Sequence, residues 1–189
     1  QWRTEFPLKG KLEKRYLALL LRYLREDLET LNNRGCSSSY HQCGQFWSER
    51  KKDFAQVAYE VLEAHQKSAA IVEHVAEYFA TGLLDEPAAI MVLQGSWKRG
   101  LLTDAGSRRL VGLLLRAGRY KECVGPLEAL LKLYPTDGGP HAQMVQVLGK
   151  TKGEKAAVAY LKKARQQLTD AGQWNEWIAA TLAEYAFQG

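Results

Sequence analysis

The amino-acid sequence predicts an all-α protein: antiparallel helical hairpins stacked as an α-solenoid, with an extra amphipathic helix at the N-terminus. Three observations predict it. Small residues recur in a fixed register, with Ala55, Ala89, Cys123 and Ala157 each 34 positions after the last and Tyr59, Leu93, Leu127 and Leu161 four residues further on. That interval is the period of a helix–turn–helix solenoid, in which each unit buries its apolar face only by stacking on a neighbour. Apolar residues recur at helical spacing along the chain, and no strand-like alternation competes. The connections between these runs are short and polar, as expected between neighbouring helices.

The first element runs from about Leu8 to Leu31. Leu12, Tyr16, Leu20, Leu24, Leu28 and Leu31 form an apolar stripe, widened by Leu17 and Tyr23, and Lys11, Arg15, Arg22, Glu26 and Glu29 occupy the other side. So wide a stripe must pack on something. Asn32 to Gly35 ends the helix and a polar loop, Cys36–Gly44, follows. A second helix spans about Phe46–His65, and a third Ala69–Thr81, closed by Gly82. Asp85 reads as an N-cap with Pro87 in the first turn of a fourth helix that ends near Gly100. Thr103 or Asp104 caps a helix through Ala117, Gly118-Arg119 makes the turn, and Tyr120–Leu133 forms the return helix. Gly125-Pro126 lies inside it and predicts a kink, because an interior proline loses an N–H and clashes with the preceding turn. After the breaker Tyr134–Gly138 come helices at about Pro140–Gly149, Glu154–Leu168 and Trp174–Phe187.

Composition narrows the function classes. The net charge of +5 is modest and dispersed: residues 1–35 carry eight Lys/Arg against five Asp/Glu, whereas residues 69–103 are net acidic. This permits weak attraction to acidic partners without demanding nucleic acid. No apolar run approaches the roughly 18 residues of a membrane span, and no signal-peptide pattern opens the chain. Gln1 with no initiator methionine reads as a mature form or a piece of a longer polypeptide. Three cysteines fit a reducing compartment as well as one disulfide plus a buried thiol; the compartment stays open, with the cytoplasm slightly favoured.

Within Leu110–Pro135, Leu110 and Leu114 are large, Gly118 and Tyr120 frame the turn, Cys123 is small, Leu127 and Leu130 follow, and Pro135 terminates. This pattern resembles a tetratricopeptide repeat. One period later, Met144, Leu148, Ala157, Leu161 and Ala164 repeat it, with Lys152, Glu154 and Thr169 replacing the turn glycine, the aromatic and the proline. One period earlier, Ala76, Ala80, Ala89 and Leu93 fit while Ser96 and Leu101 depart. Ala55, Tyr59 and Leu62 fit a still earlier second helix, and Ile178 and Leu182 a closing first helix. The expected organisation is an N-terminal helix over 1–35, then units near 36–69, 70–103, 104–137 and 138–171, and a closing helix over 172–189. The resemblance implies a right-handed superhelix whose first helices line a concave groove that holds peptides.

Mapped onto that groove, the resemblance implies partner-binding residues Arg108, Arg109, Arg116, Gln143, Gln146, Lys150 and Trp177. Arginines on such a face can hold carboxylates bidentately; a solvated charged face is the alternative. Some domains of this family grip a C-terminal carboxylate with a Lys-and-Asn set. The corresponding positions here are Arg108 and Gly112, then Ala142 and Gln146, so that clamp is not expected.

No catalytic set and no cofactor site emerges. Cys123 occupies a packing position, and His65, His74 and His141 fall in different units without an acid–base–nucleophile arrangement. Cys36, His41 and Cys43 share one loop. They lack the fourth ligand of a closed zinc site, so no metal is expected; a Cys36–Cys43 disulfide or two unpaired thiols are the other readings. Trp97, Trp174, Trp177 and Tyr185 fit the sealing of a solenoid end better than base stacking. The resulting expectation is a non-enzymatic scaffold that binds a protein or peptide, with an acidic segment the favoured partner and no membrane span. Two alternatives stand beside it. One is an oligomerisation or docking segment of a larger enzyme, self-associating through Leu12–Leu31. The other is an RNA-binding repeat, disfavoured because equivalent positions such as Arg109 and Gln143 differ in character.

Overall fold

A computed structural model describes residues 51–52, 55–170, 172, 174 and 179–180, and every regular element among them is helical. The expected N-terminal helix over 1–35, the expected loop at Cys36–Gly44, Trp177 and most of the expected closing helix over 172–189 lie outside the described residues. The chain divides into two compact units at Leu102/Thr103.

In the first unit, residues 55–64 form α1, Ala69–Glu77 form α2 and Glu86–Lys98 form α3, with a π-helical turn at Tyr78–Gly82 between the last two. Ile71, Val72, Val75 and Ala76 make the buried stripe of α2. The α-helical geometry stops at Glu77, short of the expected Thr81. One wider turn follows, in which the Leu83 N–H donates to the Tyr78 carbonyl at 3.0 Å. This turn buries two successive aromatics, Tyr78 and Phe79, and the Phe79 ring lies 4.9 Å from that of Tyr59 on α1. The left-handed residue that redirects the chain is Leu84, with φ +55°, and not Gly82. Asp85 then caps α3 as expected, accepting the Ala88 N–H at 3.0 Å. Helices α2 and α3 pack on one another.

The second unit contains α4 (Asp104–Arg116), α5 (Tyr120–Leu133), α6 (Gly138–Lys152) and α7 (Glu154–Asp170). Thr103 caps α4 through the Gly106 N–H at 3.1 Å, and Leu110, Val111, Leu113 and Leu114 bury one face. Gly118, at φ +68°, ends the helix. Its own N–H reaches the Leu115 carbonyl and the Arg119 N–H reaches that of Leu114, at 3.1 and 2.9 Å. This is the Schellman arrangement, which satisfies the last carbonyls and needs a left-handed residue at this point. Helix α5 is a single helical element through Gly125-Pro126, with Pro126 buried. Helix α6 begins two residues before the expected Pro140 because Asp137 caps it, accepting the Gly139 N–H at 3.0 Å. Each consecutive pair packs together: α4 on α5, α5 on α6 and α6 on α7.

The register of small residues survives as burial. Ala89, Cys123 and Ala157 are buried, as are Leu93 and Leu127 four residues on; Ala55 and Leu161 are only half-buried, and Tyr59 is exposed. Ser96, a departure from the pattern by residue type, is buried like its equivalents Leu130 and Ala164. Ala142, Val145, Ala157 and Leu168 form the core between α6 and α7, with Leu148, Tyr160, Leu161 and Trp174 packed against it.

Candidate functional site

The polar residues expected to meet a partner fall into two sets. On α4, Arg109, Gly112 and Arg116 are spaced i, i+3, i+7 and so share one side of the helix. On α6, Gln143, Gln146 and Lys150 are spaced identically, each 34 positions after its counterpart. Arg109, Arg116, Gln146 and Lys150 are exposed and Gln143 is half-buried. The two helices that carry these faces both pack on α5. A Cβ built on Gly112 would stand 4.0 Å from the Arg116 guanidinium, ordinary van der Waals contact, so the arginine lies back along its own helix beside this position.

Arg108 is engaged elsewhere. One position from Arg109 is a rotation of roughly 100° around the helix, and there its guanidinium meets the Asp137 carboxylate at 2.5 Å. It also lies over the Tyr134 ring, 5.5 Å from the centroid, and the Tyr134 hydroxyl donates to Asp104. That bond holds the Tyr134 proton and raises its pKa. Asp104, Arg108, Tyr134 and Asp137 thus tie the first turns of α4 to the end of α5. Nothing in the spacing of these residues announces the cluster, because its members lie 29 and 30 positions apart. At the other end of the same helix pair, the Arg119 guanidinium grips Glu122 through two bonds of 2.7 and 2.8 Å. That pairing raises the pKa of Arg119.

His141 is a buried residue that sequence reasoning placed in no structural role. Its Nε2 lies 2.8 Å from the Pro135 carbonyl and its Nδ1 2.7 Å from the Tyr160 hydroxyl. A carbonyl only accepts, so in the neutral ring Nε2 carries the proton and Nδ1 accepts from Tyr160. The imidazole therefore links the turn before α6 to α7. Burial, followed by the charge of Glu128, pushes the Tyr160 phenol above its ordinary range.

Cys123 is fully buried, with its Sγ 3.7 Å from the Arg119 carbonyl. Burial, and then the Glu122 charge, push its thiol up to about 11, so at neutral pH it is held as the poorly nucleophilic thiol. Among the described residues, no group of three or more His, Cys, Asp or Glu is placed to hold a metal ion; Cys36, His41 and Cys43 lie outside them. No described helix is long and apolar enough to cross a membrane. A shallow hollow of about 420 Å³ lies along α7, lined by Glu154, Lys155, Val158, Ala159 and Lys162.

Compared with known proteins, the chain matches no family model, no curated protein and no solved structure.

Proposed function

We propose that this chain is a non-catalytic binding module that presents a protein or peptide surface built from tetratricopeptide-like hairpins stacked as a right-handed solenoid. The observation that carries the reading is the coincidence of two registers. Buried small residues on α3, α5 and α7 recur every 34 positions, and the exposed polar faces of α4 and α6 recur at the same offset. A repeat that aligns its core also aligns whatever it leaves uncovered, so Arg109, Arg116 and Lys150 occupy equivalent surfaces alongside Gln143 and Gln146. Cations there favour a segment rich in Asp and Glu, and the glutamine amides can pair with its backbone. Arg108, committed to Asp137, contributes to the scaffold and not to this surface.

Affinity capture with the full chain tests the reading. Wild type should enrich a protein that Arg109→Glu and Lys150→Glu lose and that Lys162→Glu, on α7, retains. Equal capture by all variants, or capture that disappears with nuclease, would contradict it.

A further inference from the structure

Between Lys150 and Arg165 the chain sets six bases, Lys150, Lys152, Lys155, Lys162, Lys163 and Arg165, against one acid, Glu154. All six are exposed. Arg165 lies over the Trp174 ring, 5.7 Å from its centroid. None of the five lysines is drawn into an ion pair among the described residues. The arginines at the two ends of the α4–α5 pair behave differently: Arg108 holds Asp137 and Arg119 holds Glu122.

Two of these lysines frame the hollow along α7. Ala157, Ala164 and Leu168 are the buried residues of the helix, and α7 packs on α6. Lys155, Ala159 and Lys162, spaced i, i+4 and i+7, share the opposite side. The two lysines stand two turns apart, about 10 Å along the axis. Val158, 40% exposed, and Ala159 lie between them and floor the 420 Å³ hollow. The methyl of Ala159 leaves the space that the long side chains on either side enclose. Lysine stems are apolar up to the ammonium, so an apolar floor and walls sit under a cationic rim. Glu154 is the one acid among the described residues that line it.

We propose that this hollow docks an acidic helical segment of a partner protein. One apolar side chain of that segment seats on Val158 and Ala159. A carboxylate one turn before it and another one turn after it meet Lys155 and Lys162. The complementarity is of charge and of spacing: two bases two turns apart match two acids two turns apart, with the apolar contact midway. The floor favours this occupant over other anions. Single-stranded nucleic acid is held on aromatic platforms, and here the floor is aliphatic. A bilayer surface is held by a broad apolar face, and Val158 alone does not supply one. The hollow is separate from the polar faces of α4 and α6, and the failure of either surface leaves the other standing.

Fluorescence anisotropy tests the inference, with the full chain and a labelled, stapled helical peptide carrying a central leucine and a glutamate one turn to each side. The expected result is saturable binding that Lys155→Glu/Lys162→Glu weakens at least about tenfold. Ala159→Gln, which fills the floor without changing charge, should weaken it as well, with circular dichroism confirming that each variant is folded. Replacing the leucine of the peptide by serine should also weaken binding, an effect that charge attraction alone does not produce. Arg109→Glu/Lys150→Glu should leave the affinity unchanged, which separates this surface from the α4–α6 faces. No saturable binding, binding indifferent to the leucine or to Lys155 and Lys162, or binding lost only in Arg109→Glu/Lys150→Glu would overturn the proposal. So would tighter binding of single-stranded RNA or of phosphatidylserine vesicles through the same two lysines.

Discussion

Asp137 serves two partners at once. One carboxylate oxygen accepts the Gly139 N–H that opens α6, and the other meets the Arg108 guanidinium of α4 at 2.5 Å. The cap and the ion pair should differ in worth. Exposed ion pairs contribute roughly 0–1 kcal/mol, whereas losing an N-cap costs about 1 kcal/mol. Asp137→Ala should therefore destabilise more than Arg108→Ala, and Asp137→Ser, which keeps a capping oxygen, should recover most of the difference. Urea denaturation at low and high salt separates the two, because only the Arg108 contribution is screened.

The bond between His141 and Tyr160 predicts a coupled loss. Tyr160→Phe leaves Nδ1 buried without a donor, and His141→Ala strands both the Tyr160 hydroxyl and the Pro135 carbonyl. Each should cost about 1–3 kcal/mol. In a double-mutant cycle the pair should cost less than the sum of its parts; strict additivity would show that the bond contributes nothing.

Ser96 predicts a gain. Its hydroxyl is fully buried and has no hydrogen-bond partner among the described residues. Ser96→Ala removes the unsatisfied group with little change in volume, so stability should rise by about 1 kcal/mol. A loss of stability in denaturant titrations would mean that the hydroxyl is satisfied in solution.

Two glycines on α4 and its turn should respond with opposite signs. Gly118 has φ +68°, and an alanine there takes on left-handed strain of about 1–2 kcal/mol. Gly112 is helical with ordinary space for a Cβ, so Gly112→Ala should stabilise by about 0.5–1 kcal/mol. Thermal unfolding of the two variants checks both signs.

The Cys123 thiol gives a pH signature. Its pKa rises from 9.0 to about 11 on folding, so the native state holds a proton that the unfolded chain releases. The resulting stability is present below pH 9 and falls as pH rises from there through 11. At pH 8, alkylation mapped by mass spectrometry should modify Cys123 only in denaturant.

The local signals that the sequence displayed openly were those governed by neighbouring residues. Asp85 and Thr103 stand directly before helical runs and cap them, and Gly118 stops α4, because caps and stops are short-range chemistry. The π-turn and the left-handed Leu84 were not legible: residue preference there favours Gly82, and the burial of Tyr78 and Phe79 prevails over it. Asp137 escaped notice as a cap because Pro140 drew the expected start of α6 two residues late. At the candidate site, the resemblance singles out Arg109, Arg116, Gln143, Gln146 and Lys150, and helical spacing puts each set on one side of its helix. The diversion of Arg108 to Asp137 follows from neither, since it depends on how α4 and α5 pack. His141 and Tyr160 lie 19 residues apart with no motif between them, so only the packing of α7 on α6 reveals their bond. Ser96 looked like a flaw in the repeat by type, yet position decided its burial.

The central claim is that the aligned polar faces of α4 and α6 hold a protein segment. The most direct test is an amide NMR titration of the full chain with a peptide from a captured partner. Shifts should concentrate at Arg109–Arg116 and Gln143–Lys150, with affinity reduced at least about tenfold by Arg109→Glu/Lys150→Glu. Shifts confined to α7, or affinity unchanged in that variant, would contradict it.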